Sequence, residues 1–119
     1  MTFSTQNCNS LNLTSNVKNF EIKIAAIKSL DTDIIFLCDT RMVSNKGVNG
    51  ITRVKQAFRD SKGKKYKVYA NSTKNSRGVA ILISTELNIE ITETCADPEE
   101  NYIFLRANYM DQKVLLGSI

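Results

Sequence analysis

Apolar positions along this chain change their spacing partway, from every third or fourth residue to every second. Val17, Phe20, Ile24, Ile27 and Leu30 recur at the interval that places side chains on one face of an α-helix. Ser15 or Asn16 can cap that helix, Glu21 lies in its early turns, and Asp31-Thr32-Asp33 ends it. Ile34-Ile35-Phe36-Leu37 is an unbroken apolar run between polar residues. That pattern predicts a strand buried on both faces, in a sheet with helices against it. Residues 1–6 are short and mixed, with Phe3 the large apolar group, and are read as a strand from context. Strand, helix and strand in this order imply a right-handed crossover.

Beyond a polar loop over residues 44–50, Ile51, Val54, Ala57 and Phe58 predict a short amphipathic helix that breaks near Ser61-Lys62-Gly63. From there the period is two. Tyr66, Val68 and Ala70 alternate, and residues 78–84 form the strongest strand pattern in the chain. Ile89 and Ile91 alternate with polar neighbours. Residues 102–109 form a further strand, turned by Met110-Asp111-Gln112-Lys113 into residues 114–119. The second half is thus a run of strands at hairpin spacing. No repeat, low-complexity tract or internal boundary interrupts the chain. The prediction is one α/β domain over residues 1–119, two helices against a mixed, largely antiparallel sheet.

Composition narrows the function classes. The 42% apolar and 24% charged fractions are ordinary for a globular domain. No apolar run approaches the roughly 20 residues of a membrane span, and the N-terminus lacks the basic-then-apolar pattern of a secretory signal. Cys8, Cys38 and Cys95 have no paired spacing. They read as reduced thiols of an intracellular protein, cytoplasmic or nuclear, and because two sit within strand-like apolar runs a core role as small hydrophobes is expected. There is no histidine, which excludes His-based triads and His-ligated zinc and removes the usual general base. Three scattered cysteines do not make a structural zinc site.

The net charge of +4 is unevenly spread. Arg53, Lys55, Arg59, Lys62, Lys64, Lys65, Lys67, Lys74 and Arg77 face Asp60 alone across residues 53–77, while residues 86–100 carry acidic groups only. Such a basic stretch either follows a phosphate backbone or forms a solvated face. Within it, Lys74 and Arg77 lie in the polar loop over residues 71–77 and are candidate nucleic-acid contacts. Tyr66 and Tyr69 could stack on bases, though their alternation makes at least one a packed strand residue.

Two polar clusters carry the remaining chemistry. Gln6-Asn7-Cys8-Asn9-Ser10-Leu11 closes the first strand, and Asp39-Thr40-Arg41 closes the second. Asparagine and carboxylate at the ends of two strands, with a helix between, can assemble a cation and phosphate site. The plainer alternatives are that Asn7 and Asn9 form a turn, that Asp39 caps one, and that Arg41 is an exposed loop residue rather than a phosphate contact.

In order and spacing these segments resemble the endonuclease/exonuclease/phosphatase superfamily, most closely the endonuclease domains of non-LTR retrotransposons. The first cluster looks like the family's Asn-x-Asn/Asp motif. Residues 33–41 look like its Asp-Ile-Ile-x-Leu-Gln-Glu-Thr motif, and residues 76–84 like its Gly-Gly-Val-Ala-Ile-Leu strand. Residues 102–106 and 114–119 look like the two strands that lead into its Tyr-x-Pro-Asn motif.

The resemblance implies a Mg²⁺-dependent phosphodiesterase acting on DNA. Asn7 would lie beside the scissile phosphate, Asn9 near the cation, and Asp39 in place of a metal-ligating glutamate. Mg²⁺ suits such a site because it takes oxygen ligands and keeps several waters. The resemblance also implies that these residues supply the first half of a four-layer α/β sandwich. One sheet face would then be uncovered, so self-association is expected.

Two departures qualify the activity. Aspartate is one methylene shorter than glutamate, roughly 1 Å of reach, and a misplacement of that size can cost on the order of 100-fold. The sequence also stops where the Tyr-x-Pro-Asn motif would begin, so the chain is expected to be inactive by itself. A phosphatase or lipid phosphodiesterase of the same superfamily, a non-catalytic nucleic-acid-binding or assembly module, and a decayed remnant are the alternatives.

Overall fold

The computed structural model describes residues 1–11, 17–43, 49–60, 62–74 and 76–119. The expected caps Ser15 and Asn16, and most of the loop over residues 44–50, lie outside the described residues. In chain order the elements are β1 (Phe3–Asn7), α1 (Val17–Lys28), β2 (Ile34–Cys38), α2 (Gly50–Asp60), β3 (Tyr66–Asn71), β4 (Val79–Ser84), β5 (Glu90–Ala96), β6 (Ile103–Tyr109) and β7 (Gln112–Ser118). Neither helix is long and apolar enough to cross a membrane.

The strands form two sheets. A four-stranded sheet has the order β1-β2-β4-β3. Its β1–β2 pair is parallel and its other two pairs are antiparallel. The helices pack on one face of this sheet. Phe20, Ile24 and Ile27 of α1 and Val54 and Phe58 of α2 meet Ile35, Leu37, Tyr66, Val68, Ala80 and Leu82. On the opposite face Ile34, Val79, Ile81 and Ile83 meet Ile103, Leu105 and Leu116 from a second, antiparallel sheet of order β5-β6-β7. All six residues of β4 are buried, as a strand covered on both sides requires.

The expected α/β fold with two helices against mixed sheets stands, and the second sheet adds to it. The strands at hairpin spacing do not extend the first sheet; they cover its second face. The reason lies in their alternation. Along β6, Ile103, Leu105 and Ala107 are buried while Arg106 and Asn108 are exposed, so this sheet needs cover on one face only. The face left open is therefore the outer face of β5–β7, where Leu115 is 64% exposed beside Cys95 and Phe104. Met110 and Asp111 join β6 to β7, both at positive φ, as a two-residue turn matched to the twist of paired strands.

Candidate functional site

Topology gathers the chain's polar clusters at one end of the first sheet. Because β1 and β2 are parallel they finish together, with Asn7 beside Cys38. Because β4 is antiparallel to β2 and β3, it begins where both of them end, with Val79 opposite Cys38 and Asn71. The second sheet is tied to this end by Ser118, whose buried hydroxyl donates to the Leu37 carbonyl at 3.0 Å.

The backbone there is strained. Asn9, Ser10, Asp39 and Arg41 all have positive φ, at 46°, 76°, 53° and 45°. Non-glycine residues adopt this region at a cost, and such strain persists only where the surroundings over-determine it. Here they do. The Ser10 and Leu11 amides donate to the Asp39 and Thr40 carbonyls at 2.9 and 2.7 Å. The Thr40 and Arg41 amides donate to Gly78 and Arg77 carbonyls at 3.1 and 3.0 Å. Beneath them Ser72, fully buried, accepts from the Thr40 hydroxyl at 2.6 Å and from the Met42 amide at 2.8 Å. Gly78, at φ 129°, lies so close that a Cβ would collide with both hydroxyls.

The residues singled out in the sequence fall as follows. The Asn7 side-chain oxygen accepts from the Asn9 amide at 3.1 Å, closing an Asx turn. Lys23 of α1 donates to the Asn9 and Ser10 carbonyls, each at 2.7 Å, and pins that turn. Asp39 is held by Arg41 through two bonds, Nε–Oδ1 at 2.7 Å and Nη2–Oδ2 at 3.1 Å. Arg77 donates to Asn101 at 2.5 Å. Asn7 lines a groove of about 400 Å³, and Asp39 and Arg77 line an adjoining one of about 300 Å³; Cys38 borders both. Lys74 lies farther along the same loop, 3.5 Å from Glu99.

Tyr66 is buried, edge-on to Phe58, and donates to the Thr32 carbonyl at 2.7 Å, so its ring has no face for a base. Burial, with Asp31 and Asp33 nearby, pushes its pKa up to about 12. Tyr69 is half-buried with the Lys67 ammonium over its ring at 5.3 Å. The three cysteines are free. Cys8 is buried and its pKa is pushed up to about 12, by burial first and by Cys38 next, so it stays a thiol at neutral pH.

The described residues form no closed metal cage, which Mg²⁺ does not require. Among the described residues no group of three or more His, Cys, Asp or Glu side chains could hold a metal. The carboxylate expected to do so, Asp39, has both oxygens engaged by a guanidinium.

Sequence reasoning missed Glu100. It is 5% exposed and lies between β5 and β6, at the rim of the Asp39 groove. It sits in a run of acids that reads as solvated surface, and nothing in the run marks which member turns inward.

No protein-family model and no curated protein matches this sequence. Among solved structures it is similar to a humanized D. rerio TDP2 carrying 14 mutations, at 12% identity and a TM-score of 0.60 over 95% of this chain. It is also similar to a truncated TDP2 from Caenorhabditis elegans, at 20% identity and a TM-score of 0.54 over 94% of this chain. At these identities the likeness is one of fold. The chain spans 44% and 42% of those two structures, less than half of each.

Proposed function

We propose that residues 1–119 are part of a metal-dependent phosphodiesterase domain of the DNA-nicking endonuclease type. By themselves they grip a phosphodiester backbone without cleaving it. The observation that carries this reading is the strained corner where the three segments holding Asn7 and Asn9, Asp39 and Arg41, and Arg77 are bonded together through their backbones. Strain concentrated where polar and basic side chains meet is characteristic of ligand sites.

Arg41 and Arg77 supply positive charge, and guanidinium groups suit phosphate oxygens. Asn7 is assigned to the scissile phosphate, and Asn9 and Asp39 to a Mg²⁺ ion. Arg41 competes with an ion for the Asp39 oxygens, and no histidine is present to act as base. Hence binding is expected and turnover is not. The motif order favours the retrotransposon-type nickase over a lipid phosphodiesterase or phosphatase, and the basic stretch over residues 53–77 supports nucleic acid as the ligand. The apolar face expected to drive self-association is covered by the second sheet, and any association of copies would use the outer face of β5–β7 around exposed Leu115.

Supercoiled plasmid incubated with the chain in Mg²⁺ and in EDTA tests the proposal. The expected result is a salt-sensitive mobility shift in both and no relaxed product. Relaxation that requires Mg²⁺ would overturn the inactivity, and no shift at low salt would overturn the function.

A further inference from the structure

We infer that Glu100 is the positioning residue of the nucleic-acid grip, a buried latch through which the second sheet sets the loop that carries Lys74 and Arg77. The inference rests on the phosphate-backbone reading above.

Among the described residues Glu100 is the buried charged side chain, and a buried carboxylate is costly unless its oxygens are bonded. It accepts hydrogen bonds from the Thr73 amide, from the Thr73 hydroxyl at 2.8 Å and from the Lys74 amide at 3.2 Å. Its own backbone is held at φ 62°, a second strained point directed at the same loop.

The neighbours of Glu100 reinforce the attachment. The Asn71 side chain donates to the Asp97 and Tyr102 carbonyls at 2.7 and 3.0 Å. Arg77 donates to Asn101, and the Lys74 ammonium lies 3.5 Å from Glu99. Both ends of the basic loop are therefore fastened to residues 97–102. From Arg77 the attachment continues to the strained turn, because its carbonyl accepts the Arg41 amide at 3.0 Å. Glu100 needs no contact with a nucleic acid to act on it. Its oxygens fix two successive amides, which set the direction in which Lys74 leaves the sheet, while its neighbour Asn101 holds Arg77. A loop held in its bound shape avoids the entropy of ordering on binding.

The test uses the whole chain, a fluorescent DNA duplex, and the variants E100A, E100Q, R77A and E100A/R77A. Affinity is measured across a salt series, and amide hydrogen exchange is followed at Thr73, Lys74 and Arg41. If Glu100 positions the loop, E100A flattens the salt slope as R77A does, by about 0.9 for each phosphate that is no longer neutralised. The double variant then binds no more weakly than the poorer single one, since the two act through one unit. E100Q keeps an oxygen for the two amides and recovers most of the affinity.

A merely stabilising Glu100 would leave the slope of the folded E100A protein at the wild-type value, and its effect would add to that of R77A. Either result overturns the inference. Should the wild-type chain fail to bind DNA, the function reading falls on its own and the exchange data decide Glu100. Faster exchange at Arg41 in E100A supports the latch, and unchanged exchange there refutes it.

Discussion

Asp39 and Arg41 stand two residues apart on one strained turn, and their side chains close on each other through two parallel bonds. The carboxylate assigned to a cation and the guanidinium assigned to a phosphate therefore occupy one another. The pair is partly exposed, so its contribution to stability is small, about 0–1 kcal/mol. Its consequence is for binding.

Removing the carboxylate should release the guanidinium. D39N is expected to bind duplex DNA several-fold more tightly than wild type in EDTA, with the slope of log affinity against log salt steeper by about 0.9, the value for one further phosphate neutralised. R41A should move both quantities the other way. Fluorescence anisotropy across a salt series measures both. An unchanged D39N slope would show that Arg41 does not reach phosphate.

The hydroxyl knot beneath the turn gives a stability prediction. In S72A the Met42 amide and the Thr40 hydroxyl lose their buried partner. Leaving such groups unsatisfied costs about 1–3 kcal/mol each. Urea unfolding should show a loss in that range or above, whereas a loss below about 0.5 kcal/mol is the size of an ordinary surface change.

The two faces of the second sheet should respond differently. Leu105 is fully buried between the sheets, so L105A is expected to cost about 2–5 kcal/mol. Leu115 is exposed on the outer face, so L115K should leave the urea midpoint nearly unchanged while lowering the sedimentation coefficient of the wild-type assembly. A wild-type chain that sediments as a monomer at every concentration removes the self-association proposal.

Most of the fold is legible in the sequence. The continuous run from Ile34 to Leu37 marks a strand covered on both faces, and the spacing of Phe20, Ile24 and Ile27 marks the helix that covers one of them. What covers the other face is not legible. Hairpin spacing is local, and whether residues 90–118 extend a sheet or cross over it depends on residues remote in sequence, such as Ile81 and Leu105, joining one buried cluster. At the site, the motifs point to Asn7 and Asp39, but the ring closed by Arg41 and the inward turn of Glu100 depend on backbone angles that no residue type dictates.

Acid should weaken the folded state through its bonded carboxylates. Burial raises the pKa of Glu100, but the bonds from Thr73 and Lys74 outweigh it, so the folded value lies below the ordinary one. The Asp33 pKa is also lowered, chiefly by the bond from the Thr2 amide. A depressed folded pKa contributes stability above the unfolded value, about 4, and loses it as pH falls through the folded one. The melting temperature should therefore hold from neutrality to about pH 5 and fall below about pH 4. The fall should be smaller in E100Q, and an equal fall would assign the effect to other carboxylates.

The most direct measurement of the central claim is anisotropy of a labelled DNA duplex titrated with the chain and with R41A/R77A, in EDTA, at low and moderate salt. The account predicts salt-sensitive binding by the wild-type chain without metal, and a slope shallower by about 1.8 when both arginines are removed. Equal affinities and slopes for the two proteins would contradict it, because the strained corner would then not be where the nucleic acid lies.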